Sequence, residues 1–436
     1  MRQLVIIAGG KGTRLRGRIG DLPKPLAHVG DIPLLEHHIL LARAHGFSDI
    51  VLLTGYGADR IREFCGDGSR WNVRIRYSEE TAPLGTAGAV MQALPLLESR
   101  FVIAYGDTML NVDLERLWKA HEQSGADATL FVHPNDHPHD SDLIEIDDES
   151  RITAFHPYPH RDDRYYRNLV NAALYVADRD AFARWIGSGL QDFGKHLFPA
   201  MLGAGQPLYG YVSPEYIKDA GTPERLDRVN ADYANGRIQS GSFATQSPAV
   251  FLDRDGTLNR EVHRVKRPEE LDLIPGVAEA IRLLNRSGYR AVVITNQPVV
   301  ARGDCDERGL REIHNKLETL LGREHAYLDA IYYCPHHPDN GFPGERPELK
   351  FDCECRKPKT GLIEQAAREL NLDLSRSWFI GDTSIDIRTA KTMGLRSILV
   401  RTGHAGADGR FPDKADLESG TLFEAVAAIL AGRAQT

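Results

Sequence analysis

Apolar runs that break at glycine or aspartate recur along this chain. They include "LVIIAGG" (4–10), "DIVLLTG" (49–55) and "FVIAYGD" (101–107), with "ATLFV" (128–132) following. Helical patterns such as "LLEHHILLARAHG" (34–46) and "LERLWKAHEQSG" (114–125) lie between them. Continuous apolar strands alternating with helices constrain the chain to a mostly parallel sheet covered on both faces. Ligands of such sheets sit beyond the carboxyl ends of the strands. The glycines and acids fall at those ends.

The alternation stops after "GTPERLDRVNADYANGRI", and the small, polar "QSGSFATQSP" reads as a linker. It then restarts with "AVFLDRDGT", "RAVVITNQ", "WFIGDTS" and "SILVRTG", separated by helical stretches such as "GVAEAIRLLNRSG" and "TGLIEQAARELNL". Two α/β domains are therefore expected, at 1–238 and 248–405. A linker at 239–247 joins them, and a C-terminal loop and helix occupy 406–436. A chain of 436 residues is long enough for two such cores.

Net charge is −8, which offers no basic surface for nucleic acid. No run approaches the ~20 apolar residues of a membrane span, and "MRQLVIIAGG" meets glycine too soon for a signal peptide. The five cysteines are an odd count, against a disulfide scaffold. A cytoplasmic enzyme acting on small molecules is expected. Oligomeric state is not written in the sequence.

"AGGKGTRL" follows the first strand directly. A glycine-rich turn aims backbone N–H groups at phosphate oxygens, and Arg14 and Lys24 add positive charge there. The loop lacks the Gly-Lys-Ser/Thr of a P-loop, and Leu15 stands where a dinucleotide fingerprint needs its third glycine. Alone it reads equally as a tight strand-to-helix turn. "EETAPLGTAGAV" supplies a second small-residue loop, and Asp107 and Asp219 end strands beside glycine, where two carboxylates can hold Mg²⁺ against phosphate.

The ordered set "GGKGTRL…PKPL…PLGTAG…GD…DAGTPE" resembles the sugar-1-phosphate nucleotidyltransferases, over about residues 1 to 235. The resemblance implies a Rossmann-like domain in which Gly9, Gly10, Gly12 and Arg14 hold the triphosphate and Lys24 the α-phosphate. Glu80 and Gly85 would face the base, Asn171 the sugar, and Asp107 and Asp219 the Mg²⁺. "SEETAPLGTAG" is most similar to the guanylyltransferases, and a carboxylate at Glu80 suits the N1–H and N2–H₂ of guanine, so GTP is the expected nucleotide. The family's Phe-x-Glu-Lys-Pro is incomplete in "ITAFHPYPHRDDRYYRNLVNAALYV": Phe155 is present and the Glu-Lys pair is not. His160, Arg161 and Lys195 are the candidates to replace it. A non-catalytic binding domain is the competing reading.

In the second domain Asp253 and Asp255 stand just past a strand. A carboxylate can attack phosphorus when a metal neutralises the anionic repulsion, and a second acid can protonate the leaving oxygen. Thr295, Arg356, Lys357, Asp382 and Asp386 follow in order. "DRDGT", Thr, Lys and "GDTSID" resemble the haloacid-dehalogenase (HAD) phosphatase superfamily. The resemblance implies a HAD-like Rossmannoid fold with Asp253 as nucleophile and Asp255 as acid/base. Thr295 and Lys357 would stabilise the phosphoryl group, with Asn296 and Gln297 beside the substrate. Mg²⁺ would sit on Asp253, Asp382 and Asp255, the last through its backbone carbonyl.

"CPHHPDNGFPGERPELKFDCECRKP" offers Cys334, His336, Cys353 and Cys355, a complete tetrahedral shell for structural Zn²⁺ with no site left for water. His337 is the competing ligand. This loop, running into Arg-Lys-Pro, resembles D-glycero-D-manno-heptose-1,7-bisphosphate 7-phosphatases and the related histidinol-phosphatases; Arg356 would then select a second phosphate. "REVHRVKRPEEL" departs from the usual Asp-His-Gly-Tyr-Val, placing His263 and Arg264 in a substrate-facing segment, and Thr383 replaces a usual Lys. Loss of the 7-phosphate leaves a sugar 1-phosphate, which a nucleotidyltransferase consumes. The expected function is therefore bifunctional. The alternatives are a histidinol- or other sugar phosphatase, and a guanylyltransferase acting on mannose 1-phosphate.

Overall fold

The computed structural model describes residues 2–187, 189 and 192–432. These form two compact units. The first is drawn from 2–133, 142–158 and 169–244, the second from 134–141, 159–168 and 245–432.

The strands of the first unit are β1 (Gln3–Ile7), β2 (His28–Val29), β3 (Ile32–Pro33), β4 (Asp49–Thr54), β5 (Arg74–Glu79), β6 (Arg100–Tyr105), β7 (Thr108–Asn111), β8 (Ala128–His133), β9 (Leu143–Ile146), β10 (Ile152–His156), β11 (Val170–Asp178), β12 (Leu208–Val212) and β13 (Tyr216–Asp219). β5, β4, β1 and β6 lie side by side and parallel. On both sides of this sheet the apolar runs find partners. Leu4, Ile6, Ile50, Leu52, Val102 and Ala104 enter one core. Val5, Val51, Leu53, Phe101 and Ile103 enter the other. That double burial is why the runs are continuous and not alternating.

The later strands depart from the expected mostly parallel sheet: β11 runs antiparallel to β6, β8 and β9, and β10 antiparallel to β9. Parallel neighbours need a crossover of a dozen or more residues. Only five residues separate β9 from β10, so they can pair only as a hairpin.

The second unit holds β14 (Ala249–Leu252), β15 (Arg290–Asn296), β16 (Ala330–Cys334), β17 (Trp378–Gly381), β18 (Arg396–Val400) and β19 (Leu417–Ser419). They pair in the order β16-β15-β14-β17-β18-β19, every pair parallel. The order reverses at β14, which opens a crevice beyond the carboxyl ends of β14 and β17. In the first unit the same reversal falls between β1 and β6.

The C-terminal segment completes the second unit. β19 is its sixth strand, and the helix Leu422–Leu430 sends Leu422, Ala425, Val426 and Ile429 into the core that contains Val250 and Leu252. Residues 239–247 are tied down as well. Phe243 N donates to Glu215 Oε1 at 2.9 Å, and Ser247 N to the Asn371 carbonyl at 3.3 Å. Among the described residues no helix is long and apolar enough to cross a membrane.

Candidate active sites

In the second unit Asp253 directly follows β14, and its N–H still donates to Ile380 O of β17 at 3.0 Å. The chain then turns at Gly256 (φ 77°), with Arg254 O accepting from Leu258 N at 2.8 Å and Asn259 N at 3.1 Å. Thus the ladder fixes Asp253 while the turn directs Asp255 elsewhere. Lys357 Nζ lies 2.9 Å from Asp253 Oδ1 and 2.6 Å from Asp386 Oδ1. Asp253, Asp382 and Asp386 bring one carboxylate oxygen each within 4.8 Å of one another.

Three buried carboxylates face one ammonium here, which leaves a surplus of negative charge. Burial, then Asp253 and Asp386, push Asp382 up to about 8. Burial raises Asp253 as well, to about 6, against the opposing pull of Lys357. Asp382 Oδ2 accepts from His404 N at 2.6 Å, yet its buried Oδ1 has no partner. An orphaned carboxylate oxygen beside a second carboxylate fits a hard divalent cation. Asp386 is committed otherwise. It takes Thr383 Oγ1 at 2.6 Å, and Thr383 caps the helix Ser384–Thr392.

The Asp255 side chain lies outside this cluster. It accepts from Arg254 Nη2 at 2.8 and 2.9 Å, Asn259 Nδ2 at 2.9 Å and Gln297 Nε2 at 2.9 Å. Burial would raise its pKa, but Arg254, Gln297 and Asn259 outweigh burial and hold it below the ordinary value. Only its backbone carbonyl is left for the metal role. Thr295 is buried and bonded to Gln297 Nε2 at 2.9 Å. Asn296 exchanges two hydrogen bonds with the Lys357 backbone, at 3.0 and 3.1 Å, which fixes the lysine's approach. Arg356 donates to His336 O at 3.2 Å, and Arg264 stands 3.5 Å from Asp304. His263 adopts φ 70°, the left-handed region, in the segment where the resembled family has glycine. Sequence reasoning missed Arg254, Asn259 and His404; the one signal was a charged residue between two aspartates.

The thiols and imidazole come together. Cys334, Cys353 and Cys355 have Sγ–Sγ separations of 3.1, 3.2 and 3.4 Å, and His336 Nδ1 lies 3.1 Å from Cys355 and 3.6 Å from Cys334. A tetrahedral ion with ~2.3 Å metal–sulfur bonds has edges of about 3.8 Å, so the sulfurs need only move slightly apart to form a loaded shell. His337 is turned away: Nε2 meets Arg302 Nη2 at 2.9 Å, and Nδ1 accepts from Asp339 N at 3.1 Å. The cluster could hold a metal, with His336 and not His337 as its imidazole.

In the first unit β1 runs into Gly9, Gly10 and Gly12. Gly12 sits at φ 62°, and a Cβ there would fall 2.7 Å from Lys24 Cγ, so the loop needs glycine for both shape and space. A Cβ on Gly9 would meet Glu80 Oε1 at 2.8 Å. Glu80 Oε2 accepts from Leu84 N at 3.0 Å, just before Gly85 opens the helix Gly85–Ala93. Glycine loop and the Glu80 carboxylate are therefore adjacent. Arg14 is exposed on the turn Thr13–Leu15.

Lys24 Nζ pairs with Asp107 Oδ2 at 3.0 Å. β7 and β13 bring Asp219 alongside: Asp219 is in register with Thr108, and Ala220 N donates to Asp107 O at 2.8 Å. Asp219 pairs with Arg225, which sequence reasoning missed. Asp107 and Asp219 offer carboxylate oxygens of the kind that Mg²⁺ takes, each paired with a cation. Asn171 sits on a β-bulge of β11 at Ala173 (φ 58°), and its Oδ1 accepts from Ala173 N at 3.2 Å. A Cβ on Gly194 would lie 3.2 Å from Asn171 Nδ2, 3.8 Å from Asp192 Oδ1 and 3.9 Å from Asp142 Oδ2. Of the candidates for the missing Glu-Lys pair, exposed Lys195 adjoins this group, while His160 bonds Ser141 O at 2.8 Å and Arg161 pairs with Asp163 at 2.7 Å.

Comparison with known proteins finds a different family in each half of the chain. A nucleotidyl transferase family model matches residues 3–236, and a HAD-hydrolase-like model matches 354–419. The chain is 39% identical over 181 residues to a D-glycero-beta-D-manno-heptose-1,7-bisphosphate 7-phosphatase from Haemophilus ducreyi, covering 41% of this chain and 96% of that protein. It is 43% identical over 159 residues to a D-glycero-D-manno-heptose-1,7-bisphosphate 7-phosphatase from Thermosynechococcus vestitus, covering 36% and 80%. Among solved structures, HddC from Yersinia pseudotuberculosis aligns with 53% of this chain and 100% of its own, at 24% identity and a TM-score of 0.47.

Proposed function

The chain belongs to the nucleotidyl transferases through residues 3–236 and to the HAD-like heptose-1,7-bisphosphate phosphatases through its second half, and from that premise we propose the two reactions it joins. The second unit removes the 7-phosphate of D-glycero-D-manno-heptose 1,7-bisphosphate. The first transfers a nucleotidyl group, from GTP, to the heptose 1-phosphate so formed.

One observation carries the first reaction: Asp253 stands at the reversal point of the sheet, beside Lys357 Nζ at 2.9 Å and within 4.8 Å of Asp382. Asp253 attacks the phosphorus to give an aspartyl phosphate, and the leaving sugar oxygen takes a proton from Asp255. Water then attacks the phosphorus, gives its proton to Asp255, and inorganic phosphate leaves Asp253. Mg²⁺ held by Asp253, Asp382 and the Asp255 carbonyl would neutralise the anions that meet there. Thr295 and Lys357 bind phosphoryl oxygens, and Arg356 receives the second phosphate.

In the first unit the sugar 1-phosphate attacks the α-phosphorus and pyrophosphate departs. Lys24 stabilises the charge that builds at the α-phosphate, and the Gly9–Gly12 loop holds the departing phosphates. Asp107 and Asp219 would hold Mg²⁺ against them. Glu80 favours guanine because a carboxylate accepts two N–H donors from it. Cys334, His336, Cys353 and Cys355 would hold a structural Zn²⁺, which would pin the loop that carries Arg356.

The test is a one-pot assay of purified protein with heptose bisphosphate, Mg²⁺ and each NTP in turn, read by mass spectrometry. GDP-heptose is expected. Asp253→Asn should stop phosphate release and leave nucleotidyl transfer from supplied heptose 1-phosphate intact. Faster hydrolysis of histidinol phosphate would reassign the phosphatase. Absence of pyrophosphate with every NTP would make the first unit a binding domain.

A further inference from the structure

Arg254, between the two aspartates of the phosphatase motif, is fully buried, the largest side chain so enclosed among the described residues. A guanidinium is enclosed only when it is paired, and each of the three nitrogens of this one has a partner. Nε donates to Asp255 Oδ1 at 3.1 Å, and Nη2 reaches Oδ1 at 2.9 Å and Oδ2 at 2.8 Å. Nη1 meets His314 Nε2 at 3.3 Å. That histidine comes from the helix Glu307–Arg323 and is itself buried. Meanwhile the Arg254 carbonyl closes the turn by accepting from Leu258 and Asn259 N–H.

The bonds on Asp255 are unequal. Oδ1 is held by Arg254 Nε, Arg254 Nη2 and Asn259 Nδ2. Oδ2 is held by Arg254 Nη2 and Gln297 Nε2 alone. Gln297 Nε2 also bonds Thr295 Oγ1 at 2.9 Å, so Oδ2 is the oxygen linked to the phosphoryl-binding hydroxyl. The Asp255 side chain retains 23% exposure, so it is reachable, whereas Arg254 is not.

We propose that Arg254 is a positioning residue for phosphoryl transfer: its fork grips both oxygens of Asp255, Oδ1 twice and Oδ2 once, and so fixes the carboxyl group with Oδ2, on the Gln297 and Thr295 side, as the oxygen that handles the proton. In the first step the Asp253–phosphorus bond forms, the phosphorus–sugar oxygen bond breaks, and the leaving oxygen takes the proton that Oδ2 carries in the substrate-bound enzyme; the carboxylate left behind is the form that Arg254, Gln297 and Asn259 stabilise. In the second step water bonds to phosphorus, its proton goes to Oδ2, and the Asp253–phosphorus bond breaks to release phosphate. Arg254 touches neither substrate nor water. The inference rests on the phosphatase reading of this unit.

The experiment compares two leaving groups in the full-length enzyme. Heptose bisphosphate needs a proton at its leaving oxygen, whereas p-nitrophenyl phosphate loses a phenolate that departs unaided. Wild type, Asp255→Asn, Arg254→Met and Arg254→Lys are followed in single turnover for aspartyl phosphorylation and at steady state for kcat and KM. Arg254→Met is expected to slow phosphorylation by heptose bisphosphate about 100-fold, within the general-acid range. The p-nitrophenolate burst should change less than about threefold on the same account, and KM should hold. Arg254→Lys keeps the charge with fewer donors and should fall between; it also carries the test if Arg254→Met does not fold. Equal losses on both leaving groups, or no loss on either, would overturn the inference while leaving the phosphatase standing. If Asp255→Asn itself shows no leaving-group contrast, the functional reading fails and the inference with it.

Discussion

Asp382 leaves no room for a side chain at Gly256: a Cβ there would collide with the Asp382 carboxylate, as would one on Gly403. The two glycines close around one side of Asp382, and its free Oδ1 is buried without a partner. Gly256 is also at φ 77°, which an L side chain rarely adopts. Gly256→Ala should therefore displace the carboxylate, not merely strain the turn. The Mg²⁺ concentration giving half-maximal phosphatase activity should rise about 10- to 100-fold, the usual effect of disturbing a ligand's support. A magnesium titration of phosphate release checks this; an unchanged midpoint would remove Asp382 from the metal site.

Lys24 pairs with Asp107 at 3.0 Å and lies against Gly12, so its ammonium is aimed across the glycine loop. Lys24→Met keeps much of the stem's packing and removes the charge. Pyrophosphate release should fall about 10²- to 10³-fold, as when one donor to a developing oxyanion is lost. Phosphate release by the second unit is the internal control. A fall in KM-dependent terms alone, with kcat intact, would make Lys24 a binding group only.

Short motifs at strand ends were legible because chain continuity places them. Asp253 follows β14 directly, Thr295 lies near the end of β15, and the thiols converge because Cys353 and Cys355 are two residues apart. Strand direction was not legible, since apolar content is the same either way; β11 runs antiparallel to β8 and β9, and among β8 to β11 only β9 and β10 are joined by a short connection. The expected linker and tail looked detached because their polar residues outnumber the few that anchor them, such as Phe243 and Val426. Arg254 was missed for a similar reason: an arginine in a motif reads as surface until its partners are known. The bulge that turns Asn171 depends on Ala173 adopting a positive φ, for which alanine gives no local signal.

Asp49 gives a pH prediction away from both sites. Its carboxylate is buried and accepts from Gln3 Nε2 at 2.6 Å, Arg76 at 2.7 Å and Arg74 at 3.0 Å. Burial would raise its pKa, but Arg74, Gln3 and Arg76 outweigh burial and hold it below the ordinary carboxylate value. A depressed carboxylate stabilises the fold above its unfolded pKa and loses that contribution as pH falls through the folded one. Asp49→Asn should cost about 2 kcal/mol near pH 7, less than a fully buried pair because Arg74 is largely exposed. The gap between variant and wild type should close as the pH drops below about 4. Denaturant midpoints of both proteins across that range measure it, and a gap independent of pH would assign the cost to packing.

Cys355 joins the Cys/His cluster directly to the carboxylate site of the second unit, because Arg356 and Lys357 are the next two residues. Its Sγ lies 3.1 Å from Cys334 and 3.2 Å from Cys353. Without an ion, three thiolates would repel, and the loop from Cys334 to Cys355 has few apolar residues to hold it. The wild type should carry one zinc per chain by metal analysis. Cys355→Ser should lose most of it, lower the melting temperature of the second unit, and cut phosphate release at least about tenfold through displaced Arg356 and Lys357. Pyrophosphate release by the first unit should persist. Chelation followed by zinc addition should restore phosphate release in wild type and not in the variant. Full activity in a zinc-free wild type would show that hydrogen bonds alone hold the loop.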